Sequence, residues 1–92
     1  MAAFNYHHYN ALTAGTAVAP QPGMLYGVTI NSKGATANIL TLYDGTSTSG
    51  TVIAVIDTTA NVGTLFYKVE YLVGLYIAIA TGTSADVTII TG

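Results

Sequence analysis

At 92 residues the chain has material for one domain, and a second core would not fit. It is 51% hydrophobic and only 7% charged, so it can bury a core and is not intrinsically disordered. Lys33 and Lys68 stand against Asp44, Asp57, Glu70 and Asp86, a formal charge of -2 that lacks the clustered cations which nucleic acid or an anionic membrane surface requires.

The first nine residues, Met1-Ala2-Ala3-Phe4-Asn5-Tyr6-His7-His8-Tyr9, have neither the basic start nor the continuous apolar run of a secretory signal. The longest uncharged apolar stretch, 71–80, is about half of the ~20 residues that a spanning helix needs. The expectation is a soluble protein made without an export signal. Helix formers are scarce, with one glutamate and two lysines, whereas threonine, glycine and β-branched residues abound. Turn residues recur at short intervals, as in Pro20-Gln21-Pro22-Gly23, Asp44-Gly45, Ser49-Gly50 and Gly82-Thr83-Ser84, with strand-length apolar segments between them.

In chain order, residues 1–10 read as an extended arm and 12–19 as a further strand or part of that arm. Segment 24–31 is the first clear strand, with Met24, Tyr26, Val28 and Ile30 on one inward face by the period of two. Segment 36–43 follows, Leu40 and Leu42 on one side and Ile39 and Tyr43 on the other. In 51–58, Ile53 and Val55 oppose Val52, Ala54 and Ile56, so both of these strands are apolar on two faces. Segment 64–72 sets Leu65, Tyr67, Val69 and Tyr71 against Phe66, Lys68, Glu70 and Leu72. Segment 75–81 sets Leu75, Ile77 and Ile79 against Tyr76, Ala78 and Ala80, and 85–91 closes with Val87 and Ile89 together. Only Gly82-Thr83-Ser84 separates the last two, which predicts an antiparallel hairpin. The fold class is therefore all-β, a compact antiparallel sandwich of jelly-roll or Greek-key type over 24–92, with 1–23 as arm and possible first strand.

Chemistry is thinly represented. With no cysteine there is no disulfide scaffold, zinc cluster or thiol nucleophile. His7 and His8 alternate sides of an extended chain, so both do not grip one metal within a subunit; a shared site needs copies of one histidine around a symmetry axis. Asp44-Gly45-Thr46-Ser47 reads as an aspartate–glycine turn, since calcium wants six to eight oxygens and several carboxylates. No nucleophile elbow, zinc-protease helix or phosphate loop occurs. The expectation is a non-enzyme with no metal or cofactor. Lys68 and Glu70, two apart on one strand face, read as a solvated or interface-rim patch.

Charge is too scarce to cover the surface of so small a domain, and the strands lack the lysines and prolines that discourage edge pairing. Other subunits are the simplest cover, as a homo-oligomer for which a trimer suits a wedge-shaped sandwich. The candidate interface anchors are Phe4, Tyr6, Tyr9, Phe66, Tyr67, Tyr71 and Tyr76. Phe4, Tyr6 and Tyr9 would sit on an arm lying on a neighbour, the competing placement being a segment tucked under its own sandwich.

The runs Ile39-Leu40-Thr41-Leu42-Tyr43-Asp44-Gly45-Thr46-Ser47 and Gly50-Thr51-Val52-Ile53-Ala54 resemble small structural proteins of tailed-phage virions, as do Gly74-Leu75-Tyr76-Ile77 and Gly82-Thr83-Ser84-Ala85-Asp86-Val87-Thr88. The resemblance implies a β-sandwich assembled on the particle, a capsid decoration (cement) protein whose partner is the major capsid protein or another virion protein. A tail or adhesin-type module that recognises host glycan through exposed tyrosines is the second reading.

Overall fold

The computed structural model describes residues 4–12, 15–32, 39–58, 63–79 and 85–92. Within them lie eight strands: β1 (Asn5–Leu12), β2 (Thr16–Ala19), β3 (Gly23–Ser32), β4 (Ile39–Asp44), β5 (Thr51–Asp57), β6 (Gly63–Tyr71), β7 (Leu75–Ile79) and β8 (Ala85–Thr91). They form two four-stranded sheets, β1-β8-β3-β6 (sheet A) and β2-β7-β4-β5 (sheet B). Every ladder is antiparallel. Each strand pairs with the one equally far from the other end of the chain: β1 with β8, β2 with β7, β3 with β6, β4 with β5. The chain is thus one long hairpin wound over itself, the connectivity of a jelly roll.

Alternation places the core. Leu25, Val28, Ile30, Val87 and Ile89 point inward from sheet A, and Leu40, Leu42, Ile56, Leu75 and Ile77 from sheet B, all essentially buried. Each such side chain contributes roughly 1.5–3 kcal/mol on leaving water. The predicted faces of 64–72 and 85–91, and of 75–79 within 75–81, are the observed ones, with Lys68 and Glu70 outside and Leu75, Ile77, Ile79, Val87 and Ile89 inside; residues 80–81 lie outside the described residues.

In β3 the predicted face changes midway. The register slips between Leu25 and Gly27 against both neighbours: against β8 the extra residue is Tyr26 of β3, and against β6 it lies in β6, where Tyr67 and Lys68 together span the place of Tyr26. The bulge reverses the alternation: Leu25 joins Val28 and Ile30 in the core, while Met24 and Tyr26, expected inside, are only half-buried. A second slip, with Leu42 opposite Ala54 but Tyr43 opposite Val52, makes Ile53 the extra residue of β5. Ile53 and Ala54 both lean on the core, and Val52 and Val55 turn outward.

Two further expectations are corrected. β7 and β8 do not form a hairpin: β7 lies between β2 and β4 in sheet B, and β8 between β1 and β3 in sheet A. Each already has two neighbours in its own sheet; residues 80–84 between them lie outside the described residues, as do Lys33 and residues 36–38 of the fourth strand's predicted start. Residues 5–12 are not an arm on a neighbour. They are the edge strand β1, paired from Asn5 opposite Thr91 to Leu12 opposite Ala85, because buried β8 needs a partner on its second side. Thr16–Ala19 likewise pairs with β7, so 1–23 contributes strands to both sheets.

Deleting residues 1–10 should therefore strip β8 of a ladder and lower the melting temperature by on the order of 10 °C or more, since about 1 kcal/mol moves a domain of this size by 4–8 °C. Thermal unfolding followed by circular dichroism checks this; an unchanged midpoint would show β1 to be dispensable.

Candidate functional site

The outer face of sheet A brings the two ends and the middle of the chain together. Cross-strand pairing sets Tyr6 beside Ile90, Ile90 beside Gly27 and Gly27 beside Phe66, one row across all four strands. The next row runs His8, Thr88, Thr29, Thr64. The first row is apolar and the second polar, so the face is divided.

On the apolar side lies a groove of about 430 Å³ lined by Phe4, Tyr6, Tyr26, Phe66, Tyr67, Lys68 and Ile90. Phe4 stands edge-on to Tyr26, with centroids 4.8 Å apart and ring planes at 84°. Gly27 makes the floor. A Cβ there would stand 3.2 Å from the Leu65 carbonyl oxygen and 3.5 Å from Ile90 Cδ1, so the missing side chain leaves the hollow between Ile90 and Phe66. Phe66 is 84% exposed and Tyr6 68%.

The polar side is a hydrogen-bonded network. His8 Nε2 lies 2.6 Å from Asp86 Oδ1, and Asn31 Nδ2 donates to the same oxygen at 3.0 Å and to Thr88 Oγ1 at 3.3 Å. The Thr29 and Thr64 hydroxyls are 2.9 Å apart. Asn31 first, then His8, holds the Asp86 carboxyl below the usual carboxylate range. The Asn31 amide joins the histidine–aspartate pair, and the arrangement fixes three strands together.

His7 points the other way, as alternation requires. Its Nε2 is 3.0 Å from Oγ1 of buried Thr91, which also bonds the Tyr71 hydroxyl. Burial pushes the Tyr71 and Tyr9 hydroxyls above the ordinary tyrosine range. Of the seven candidate anchors, Phe4, Tyr6, Phe66 and Tyr67 meet at the groove; Tyr71 is buried and Tyr9 packs against the core. Tyr76 lies on the opposite sheet, 6.3 Å from Tyr43 between ring centroids. Tyr26 joins the groove unforeseen; the glycine that follows it was the available sign of a bulge.

The outer face of sheet B is different in kind. Its rows are Ala17, Tyr76, Tyr43, Val52, then Ala78, Thr41, Val55, with Ile39 opposite Asp57 at one corner. Asp57 is the one charge among these residues. A shallow hollow of about 200 Å³ lies between Ile39, Thr41, Tyr43, Ala78 and Ile79.

Asp44 explains the Asp-Gly turn. Its Oδ2 accepts from the Leu72 N–H at 2.8 Å, and its Oδ1 from Val73 at 2.8 Å and Gly74 at 3.4 Å. Gly45 N–H donates to the Gly74 carbonyl at 3.0 Å, tying the end of β4 to the β6–β7 turn. A Cβ on Gly74 would meet the Ala19 carbonyl oxygen at 2.7 Å, so only glycine fits. These N–H groups hold the Asp44 carboxyl low and occupy its oxygens, which are structural and not offered to a cation. Among the described residues no three His, Asp or Glu side chains gather as a metal site. Compared with protein-family models and with curated proteins, the chain matches none.

Because the folded Asp44 carboxyl titrates below its unfolded value of about 3.9, it stabilises the fold above that pH, and the contribution is lost as pH falls through the folded pKa. Asp44→Asn should lower the melting temperature at pH 7, and the gap to the parent should close on acidification through that range. Equal midpoints at pH 7 would contradict the cap.

Proposed function

We propose that the protein is a non-enzymatic structural component of a virion, a capsid decoration protein that binds the capsid surface and staples neighbouring subunits. The observation that carries this is the outer face of sheet B, a sheet-wide surface of Ala17, Ile39, Thr41, Tyr43, Val52, Val55, Tyr76 and Ala78 with one charge at its corner. Val55 is 62% and Val52 52% exposed there. Uncharged faces of this extent mark association sites. The resemblance of its turn and strand runs to small tailed-phage structural proteins supports the same reading. Attachment needs buried area and no chemistry, and a homo-oligomer multiplies it through effective concentration. The protein would assemble in the host cytoplasm and reside in the virion, with the major capsid protein or another virion protein as its partner.

A glycan-binding module is the second reading, favoured by the solvent-facing Tyr6 and Phe66 at the sheet A groove. Against it, the neighbouring polar groups Asp86, Asn31 and Thr88 are engaged with one another, leaving few partners for sugar hydroxyls.

Co-sedimentation with particles lacking the protein separates the two. Val55→Lys should weaken attachment at least tenfold with the melting temperature unchanged, whereas Tyr6→Ala should leave attachment intact. Attachment that survives Val55→Lys and fails with Tyr6→Ala or with added glycan would reverse the assignment.

A further inference from the structure

We infer that β6 pairs edge to edge with the β6 of a second copy, about a two-fold axis at Val69, extending sheet A into one eight-stranded sheet. The contact uses a surface other than the outer face of sheet B and does not depend on the capsid reading.

Among the described residues β6 is an edge strand, nine residues long and paired on one side, with β3, against which it carries one extra residue at Tyr67–Lys68. Its other edge presents a row of backbone donors and acceptors without strand partners, the usual template for adding a strand. Its outward face carries Phe66, Lys68 and Glu70, and Leu72 follows in the adjoining bend. Phe66 is 84% and Leu72 67% exposed, among the most exposed large apolar side chains of the chain. Lys68 and Glu70 form no ion pair with the described residues, where His8–Asp86 is the pair present.

The charge pattern selects the register. When two copies of one strand pair antiparallel about an axis normal to the sheet, opposed residues share a face and their numbers have a constant sum. An axis at Lys68 sets lysine against lysine, and one at Glu70 sets glutamate against glutamate. An axis at Tyr67 places Lys68 opposite Phe66 and Glu70 opposite Thr64, which matches nothing. With the axis at Val69, Lys68 faces the second copy's Glu70, and Glu70 faces its Lys68. Phe66 then faces Leu72, and on the inner side Tyr67 faces Tyr71. Opposite charges and apolar pairs directly across a ladder are the favourable cross-strand combinations. The two charges that would ordinarily protect the edge become complementary only toward a second copy in this one register.

The full-length protein at micromolar concentration and low salt is expected to sediment as two copies. Lys68→Glu and Glu70→Lys should each raise the dissociation constant at least tenfold, because each sets like charges across the axis. The double exchange Lys68→Glu/Glu70→Lys should restore the pair. Mixing the two single variants should also restore it, since one copy then carries two acids and the other two lysines. Both side chains are exposed, and melting temperatures equal to the parent's confirm folded variants. A monomeric parent, a mass of three copies as the sequence suggested, or a dimer indifferent to all these exchanges would overturn the inference. Loss of particle binding by Val55→Lys with the dimer intact would leave the two surfaces independent.

Discussion

The pairing of β1 with β8 is the constraint on which the remaining architecture hangs. It joins residue 5 to residue 91, and the ladders β2–β7, β3–β6 and β4–β5 nest inside it. Once the chain is one long hairpin, alternate strand pairs fall to alternate sheets, and the two inner faces close on each other over Leu25, Val28, Ile30, Leu40, Leu42, Leu75, Ile77, Val87 and Ile89. Such closure joins parts of the chain far apart in sequence, so its loop entropy is lost before most contacts form, and folding belongs to the slow, high-contact-order class. The aromatic groove inherits the same dependence. Phe4 and Tyr6 come from the start of the chain, Tyr26 and Phe66 from its middle, and Ile90 from its end; no part of the groove exists until β1 and β6 flank the other two strands.

The outer faces of the two sheets divide the surface chemistry between them. Sheet A is amphipathic along its strands, an aromatic row giving way within two residues to the His8–Asp86–Asn31 network. Sheet B is apolar almost to its corner. In a chain with six charged residues this is a consequence of arithmetic as well as placement. Asp44 is spent on the β6–β7 turn and Asp86 on tying β1, β3 and β8 together, which leaves little with which to solvate a second face. Such a face is tolerated in water singly, but a larger apolar expanse favours a partner.

Period-two alternation made the later half of the fold legible. The inward faces of β6, β7 and β8 alternate without interruption, and their residues are readable position by position. In β3 the expected face is reversed from Met24 to Tyr26: a bulge leaves no mark in hydropathy beyond the glycine at 27, yet it moves Tyr26 from the core to the groove and puts Leu25 in its place. The short spacer after β7 looked like a hairpin because loop length alone does not say which sheet the next strand joins. Residues 1–10 read as an arm because their inward positions, His7 and Tyr9, are amphipathic; the buried Thr91 that His7 meets and the core that Tyr9 packs against show why those types belong inside. Asp44 was recognised as a turn residue, but its acceptors' partners lie 28 to 30 residues away and no local pattern announces them.

The edges separate the two sheets once more. β5, at the edge of sheet B, carries Thr51, Val52, Ile53, Ala54, Val55 and Ile56 before its one charge at Asp57. Nothing along that run distinguishes one pairing register from its neighbour two residues on, and a strand so uniform slips. The bulge at Ile53 supplies the protection that charge does not, by twisting the strand and breaking a long flat edge. β6 also carries one extra residue, Tyr67 and Lys68 spanning the place of Tyr26, but its inward and outward positions still alternate and it carries opposite charges two residues apart. Those charges penalise like-on-like alignments and leave one two-fold register in which both are satisfied. Of the two exposed sheet edges on the β5–β6 side of the sandwich, β6 is therefore the one whose pairing is chemically specified.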